Sequence, residues 1–364
     1  MRIFVAFVLL ATLLTSAVAQ DAPETVVDTE WTCPEGFEGQ TLSIFNWATY
    51  IGDNTVADFE ALCGVTVLYD VYDSDESMIA RLRQGNPGYD IAFPTDYAVA
   101  IMIREGLAAE IDHANIPNLA NNYDIYLDPY FDPGNAHSVP YVWGTTGIGY
   151  DIDRTGEEIT TWDQVFTYEG RVAWVDNPRT MLSIALTVLG LDPNSVDPDE
   201  IDQAKQFLID NSSNVVAIAG DDGDALLAQG EVDIAVEYGG DVFQQISECE
   251  CDNLRYAVPM VGAIRDLTSI VLLAGGPNPE LAQVFMDYMM DKDVHAAVVN
   301  TIYYPSPNRE AVEGELIDPA FLANPAGNPP EETLDSMYFI LDVGEEAEQL
   351  YNDAWDEVVI MTGM

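Results

Sequence analysis

From Gln40 onward, short β-branched or aromatic runs alternate with stretches of helical periodicity, and no other feature restricts the fold of this chain as much. Leu42 to Phe45 predicts a strand, Thr55 to Leu62 a helix, Val65 to Tyr72 a strand, Glu76 to Arg83 a helix, Asp90 to Phe93 a strand and Tyr97 to Glu105 a helix. A βαβαβα series of this kind implies a parallel sheet with helices on both faces. Such sheets place ligands at the carboxyl ends of their strands. Those ends carry Asn46-Trp47-Ala48-Thr49-Tyr50, Asp73-Ser74-Asp75-Glu76 and Pro94-Thr95-Asp96-Tyr97. All three segments are polar and aromatic, which suits a small-molecule cleft.

A second alternating series runs from about Gly147 to Pro259, with strand-like Val172 to Val175 and Val232 to Glu237 and helix-like Thr180 to Leu189 and Ile201 to Asn211. Beyond it, Ser269 to Ala274 predicts another strand and Pro279 to Met290 another helix. Gly144-Thr145-Thr146-Gly147 and Gly262 are where the chain can cross between two lobes. The expected fold class is therefore α/β with two lobes, each a sheet flanked by helices, and a ligand cleft between them. Residues 20–145 with 266–304 form the first lobe of this scheme, and 146–265 with 305–364 form the second. No internal repeat recurs at a fixed period, and Asn324 to Pro330 reads as a surface loop.

The charge balance removes several functions. Of 364 residues, 63 are Asp or Glu and 12 are Lys or Arg, giving a formal net charge of -51. Nucleic-acid binding needs clustered cations to neutralise phosphates, and no basic stripe exists. Anionic membrane surfaces are excluded on the same ground. Disorder does not explain the charge either, because 48% of the residues are hydrophobic and no long acidic block occurs.

The first twenty residues form a separate unit. After Met1-Arg2 the run from Ile3 to Leu14 is apolar apart from Thr12, and it ends in Ala17-Val18-Ala19, the small-x-small pattern of a cleavage site. We expect residues 1–19 to be a cleaved secretory signal, since the apolar run is too short for a membrane anchor of about 20 residues. No Cys follows the run at once, which disfavours a lipid-anchored form. Export would put Cys33, Cys63, Cys249 and Cys251 in an oxidising compartment, where pairing is expected. Cys33 and Cys63 can staple the N-terminal lead to the first helix. A bond across one intervening residue is strained, so Cys249–Cys251 is the less favoured pair.

The search for catalytic chemistry is mostly negative. His113, His137 and His295 lie beside no nucleophile elbow, zinc helix or phosphate loop, and no cofactor or metal motif is present. Paired acids are too abundant to mark a glycosidase. Asp70, Asp73 and Asp75, and Asp221, Asp222 and Asp224, resemble calcium-loop fragments, but both lack the glycine and closing Glu in register and read as solvated loops. What remains is recognition. Trp47, Tyr50, Tyr97, Trp143 and Tyr304 stand at strand ends or turns, and aromatic walls combined with carboxylates hold organic cations.

Several stretches together resemble the periplasmic spermidine/putrescine-binding proteins of ABC transporters. They are Phe45-Asn46-Trp47 with Tyr50, Tyr72-Asp73-Ser74-Asp75-Glu76-Ser77-Met78, Tyr89-Asp90-Ile91, Pro94-Thr95-Asp96-Tyr97, Pro140-Tyr141-Val142-Trp143-Gly144, Gly230-Glu231-Val232, Tyr304-Pro305-Ser306-Pro307-Asn308 and Asp342-Val343-Gly344. Their order and spacing match as well, over the chain from Leu42 to about Trp355. The resemblance implies a two-lobed periplasmic protein, usually a monomer, that closes on a small solute and is read by a membrane permease. It implies no catalysis.

By this resemblance, Trp47, Tyr50, Tyr97 and Tyr304 line the polyamine cleft, and Thr95 fills a small hydroxyl position there. The carboxylates fit less well. Thr49 stands where the family has Glu or Asp, Asn177 and Thr180 stand where it has acids on the second lobe, and Thr268 replaces an Asp that anchors an amine. Glu237 and Asp266 replace second-lobe tryptophans, and Ile340 replaces a Gln. A buried alkylammonium is costly without compensating charge, and charge-assisted bonds are about twice as strong as neutral ones. Either Asp96, Glu237 and Asp266 supply relocated carboxylates for a polyamine or related amine, or the ligand is a neutral or zwitterionic solute. Arg179 and Arg265 are candidate partners for an anionic end, although Arg179 also fits a structural role at a helix start. A ferric site at Tyr303-Tyr304 is a more distant alternative. The Tyr-Pro-Ser-Pro-Asn context of Tyr304 argues against it.

Because acid is missing at those family positions, the charge of -51 reads as a surface property suited to a saline environment, where counterions screen self-repulsion. The melting temperature should then rise clearly from low to molar salt. A flat response in thermal denaturation would return the acid to another purpose.

Overall fold

The computed structural model describes residues 26–363, so the expected signal segment lies outside the described residues. Nine strands form one connected sheet: β1 (Thr41–Trp47), β2 (Thr66–Tyr72), β3 (Ile91–Ala92), β4 (Ser138–Asp151), β5 (Val172–Val175), β6 (Val215–Ala219), β7 (Ile234–Tyr238), β8 (Leu254–Ala257) and β9 (Ile264–Leu272). Their order is β2-β1-β3-β9-β4-β7-β5-β6, with β8 beside β4. The strands β2-β1-β3 are mutually parallel, as are β7-β5-β6, in agreement with the two alternating series.

The difference from expectation lies between these blocks. The blocks are joined by two long antiparallel strands into one sheet, where two separate sheets were expected. Residues 138–146 of β4 pair with β9, and residues 146–151 pair with β7 and β8. At its other end β9 pairs with β3, Ala92 opposite Val271. β9 thus joins the first parallel block through β3, β4 joins the second through β7, and the two strands pair where Gly144 faces Asp266 and Thr146 faces Ile264. Every residue of β4 is buried, so its side chains show no alternation of polar and apolar. That is why the sequence pattern missed most of it.

Helices cover the sheet. Asp75–Arg83 and Asp96–Arg104 follow β2 and β3, Pro178–Val188 follows β5, and Gly239–Cys249 follows β7. The last helix, Glu345–Thr362, packs on Pro178–Val188 and Pro198–Asp210, and Trp355 Nε1 donates to Asp176 Oδ1 at 2.7 Å. The segment after Tyr304 touches both lobes. Tyr123 N donates to Pro307 O and Asn308 Nδ2 to Met290 O, whereas Phe321 meets Phe243 edge-on.

Both cysteine pairs are joined. Cys33–Cys63 closes a separation of 30 residues, worth roughly 3–4 kcal/mol by loop-closure entropy. Cys249–Cys251, disfavoured by the strain argument, forms because Glu250 takes a left-handed φ of 52° at the helix end and brings the two Cα atoms within 5.1 Å.

Beside the cleft, a group of ion pairs joins the helices after β2 and β3 to the C-terminal helix. Arg83 meets Glu105 at 2.8 Å and Glu348 at 3.2 Å, while Arg104 pairs with Asp342 and lies 3.7 Å from Glu348. Exposed pairs of this type are worth about 0–1 kcal/mol each. Their placement across the cleft matters more than their strength. Replacing Arg83 and Arg104 together by Ala should lower the melting temperature little, yet increase the radius of gyration of the ligand-free protein in low-salt X-ray scattering. An unchanged radius would show that these pairs do not hold the lobes together.

Candidate functional site

The acids and aromatics converge where the strands end. Trp47 closes β1, and its Nε1 donates to Phe93 O at 2.9 Å, which fixes the indole against Tyr72 and Tyr238 with ring centroids 4.8 and 6.3 Å away. Tyr50 shares a 3.0 Å hydrogen bond with Thr268 Oγ1 on β9 and meets Tyr304 edge-on at 4.8 Å. Tyr304 stands in a slot made by two glycines. A Cβ placed on Gly144 would come within 3.1 Å of its ring, and one on Gly240 within 1.9 Å.

These rings wall a chamber that is also lined by Ala48, Thr95, Thr268, Asp221, Asp241 and Asp266. A second chamber is lined by Asp75, Asp96, Tyr97, Asn177 and Thr180, with Thr146, Ile264, Arg265 and Ile340 completing it. Thr95, Tyr238 and Asp266 line both. Nearly every acid here follows a parallel strand: Asp75 after β2, Asp96 after β3, Asp221 after β6 and Asp241 after β7. Asp266 comes from β9, opposite Gly144.

Of the residues expected in the cleft, Trp47, Tyr50, Thr95, Asp96, Tyr97, Asn177, Thr180, Asp266, Thr268 and Tyr304 are brought together, and two are not. Thr49 lies exposed in the turn after β1 with a left-handed φ of 48°, which carries its side chain away from both chambers. Glu237 is fully buried under the cleft floor, because successive residues of a strand point to opposite faces and Tyr238 takes the cleft side. Its Oε1 accepts from Tyr238 N at 2.9 Å, and its Oε2 abuts Gly223. Sequence reasoning missed Asp221, Tyr238 and Asp241, and placed Asp75 in a strand-end segment without naming it as a site residue. The strand-end rule reaches Asp241 once β7 is seen to end at Tyr238. Asp75 and Asp221, read as solvated, are respectively 1% exposed and half-buried.

Several buried acids elsewhere have evident partners, although Glu76 Oε2 and Glu237 Oε2 have none. Asp58 accepts from two backbone amides, Asp132 from four donors around His137 and Ser138, and Asp287 from Trp31 and Asn118; Asp233 pairs with Arg154 and Arg171. The cleft acids differ. Asp75 is held by Thr95, whose Oγ1 donates to it at 2.5 Å, and burial with the charge of Glu76 pushes its carboxyl up to about 8. Asp96 accepts Tyr97 N at 2.8 Å while Oδ2 has no close partner, and burial with the charge of Asp266 raises it well above the usual range, opposed by Tyr97 N and Tyr130. Burial and Asp224 raise Asp241 in the same way. Asp266 rises to about 6 through burial, opposed by Arg265.

Arg265 is the only Lys or Arg lining either chamber among the described residues, and its guanidinium lies 4.5 Å over Phe339. Arg179 is structural. It is 2% exposed, donates to Leu341 O and Asn194 Oδ1, and lies 4.5 Å over Tyr351. The adjacent tyrosines diverge, since Tyr303 bonds Ser247 at 3.0 Å while Tyr304 reaches Asp241 inside the cleft. No group of three or more His, Cys, Asp or Glu among the described residues is arranged to hold a metal ion.

The profile of the bacterial extracellular solute-binding proteins matches residues 54–329. The chain belongs to this family. The putrescine-binding periplasmic protein SpuD of Pseudomonas aeruginosa strain UCBPP-PA14 is 29% identical over 340 residues, covering 88% of this chain and 92% of its own. The spermidine/putrescine-binding periplasmic protein of Escherichia coli K12 is 30% identical over 325 residues, with coverages of 88% and 92%. Among solved structures, the spermidine/putrescine ABC transporter substrate-binding protein PotD from Streptococcus pneumoniae superposes with a TM-score of 0.74 at 28% identity, covering 89% of this chain and 100% of that one. In this solute-binding protein, no helix among the described residues is long and apolar enough to cross a membrane.

The raised acids make stability depend on pH with a definite sign. A carboxyl whose folded pKa exceeds its unfolded value holds its proton better when folded. The resulting stability is complete below about pH 4 and disappears as pH passes about 6 for Asp266 and about 8 for Asp75. The melting temperature of the ligand-free protein should fall between pH 5 and 8 at fixed salt, and Asp75→Asn should flatten the upper part of that fall. A melting temperature that rises over this range would contradict the placement of these acids.

Proposed function

We propose that the chain is the extracytoplasmic binding component of an ABC importer, that it holds a polyamine in the cleft, and that it passes the amine to a membrane permease. One observation carries the ligand: five carboxylates, Asp75, Asp96, Asp221, Asp241 and Asp266, gather in an aromatic-walled cleft whose lining includes a single arginine. Burying carboxylates without cations costs several kcal/mol per ion, and a ligand bearing two or more ammonium groups offsets that cost. Trp47, Tyr50, Tyr238 and Tyr304 suit the methylene chain and the cationic ends alike. Asp96 and Asp266 act as relocated carboxylates, joined by Asp75, Asp221 and Asp241, whereas Glu237 lies beneath the floor. The relatives named for putrescine and spermidine binding support the same reading.

The cellular setting follows from this role. Residues 1–19 direct export and are removed, the mature chain is a periplasmic monomer, and its surface acid suits salt. The lobes separate and close about the β4–β9 crossing, near residues 145 and 266.

Calorimetric titration with putrescine, cadaverine and spermidine, beside amino acids and betaines, tests the ligand. Heat with the amines and none with the zwitterions is expected, and the absence of heat with every amine overturns the reading. Trp47→Ala should weaken amine binding about tenfold or more, since it removes a cleft wall and a cation–π partner.

A further inference from the structure

Each chamber of the cleft has acids of its own, and one acid belongs to both. Asp221 and Asp241 line the first, Asp75 and Asp96 the second, and Asp266 the two together. The second chamber also holds an unsatisfied group, Asp96 Oδ2, on a residue that is 1% exposed. Asp266 Oδ2 lies beside the Tyr304 slot, 3.4 Å from the Cβ position of Gly144. Its charge is felt on both sides, since it helps raise the proton affinity of Asp96 in one chamber and of Asp241 in the other. The other residues shared by the two chambers, Thr95 and Tyr238, are uncharged, and among the described residues Arg265 in the second chamber is the one cation near Asp266.

We propose that Asp266 selects ligands by their number of charges: it faces the inner nitrogen of a linear triamine whose two end nitrogens lie one in each chamber. The inference rests on the polyamine reading and adds a discriminating residue to it. A diamine of the same length leaves Asp266 facing methylene groups. A buried acceptor deprived of its charged donor keeps its desolvation penalty, so the site rejects that analogue.

The test compares spermidine with 1,8-diaminooctane, which has the same chain length and a methylene in place of the inner amine. Calorimetry at neutral pH and fixed salt is run on the wild type, Asp266→Asn and Asp241→Asn. The wild type should bind spermidine about tenfold or more tightly than the diamine. In Asp266→Asn that ratio should fall below about threefold, while Asp241→Asn weakens both ligands and keeps the ratio. Because the readout is a ratio within one protein, a general loss of stability moves both ligands together and leaves it unchanged. A wild-type ratio near one, or a ratio that survives in Asp266→Asn, overturns the role of Asp266 while polyamine binding stands. No binding of either amine to the wild type overturns the polyamine reading itself, and this inference with it.

Discussion

The ladder between β4 and β9 is the constraint from which the rest of the structure follows. It runs from Ser138 opposite Val271 to Thr146 opposite Ile264, with a register shift between Pro140 and Val142, and among the described residues it is the sheet's only connection between the two parallel blocks. Parallel strands leave their carboxyl ends at one edge, and the ladder brings the two edges face to face. Asp75, Asp96, Asp221 and Asp241 thereby come from four separate strand ends into one cleft. Asp266 and Thr268 belong to the ladder itself and project where it crosses.

Electrostatics gives the cleft its character. Across the surface, acid is solvated and screened; in the core, it is tied to amides, hydroxyls or arginines, as at Asp132 and Asp233. Within the cleft neither remedy is complete. The acids there raise one another's proton affinity, and Arg265 supplies the single opposing charge. A folded protein tolerates this arrangement where a ligand relieves it. The ion pairs of Arg83 and Arg104 respond to salt in the opposite sense from surface repulsion, since screening weakens them while it relieves the excess of negative charge.

Much of the fold was legible because helices and strands alternate with different hydrophobic periods. Thr55–Cys63, Asp75–Arg83 and Pro279–Met290 fall within a residue of their expected bounds. The long strand β4 was not legible, since burial on both faces erases the period of two that marks a strand. The aromatic half of the site was readable from strand-end positions and the family pattern. The acidic half was not, for a reason of scale: with 63 carboxylates, only three-dimensional placement separates those that face a cleft from those that face water. Glu237 illustrates the point, because a shift of one residue along β7 exchanges the buried acid for Tyr238.

The glycine slot around Tyr304 has a consequence for how this cleft can vary. One wall of the first chamber is held by the absence of atoms at Gly144 and Gly240, neither of which lines the chamber. Even a single methyl group at Gly240 would occupy the volume of the phenol ring and evict it. The shape of the cleft is thus set partly by residues that do not line it. A search for altered recognition confined to contacting side chains would overlook the two positions where the smallest change moves a whole wall.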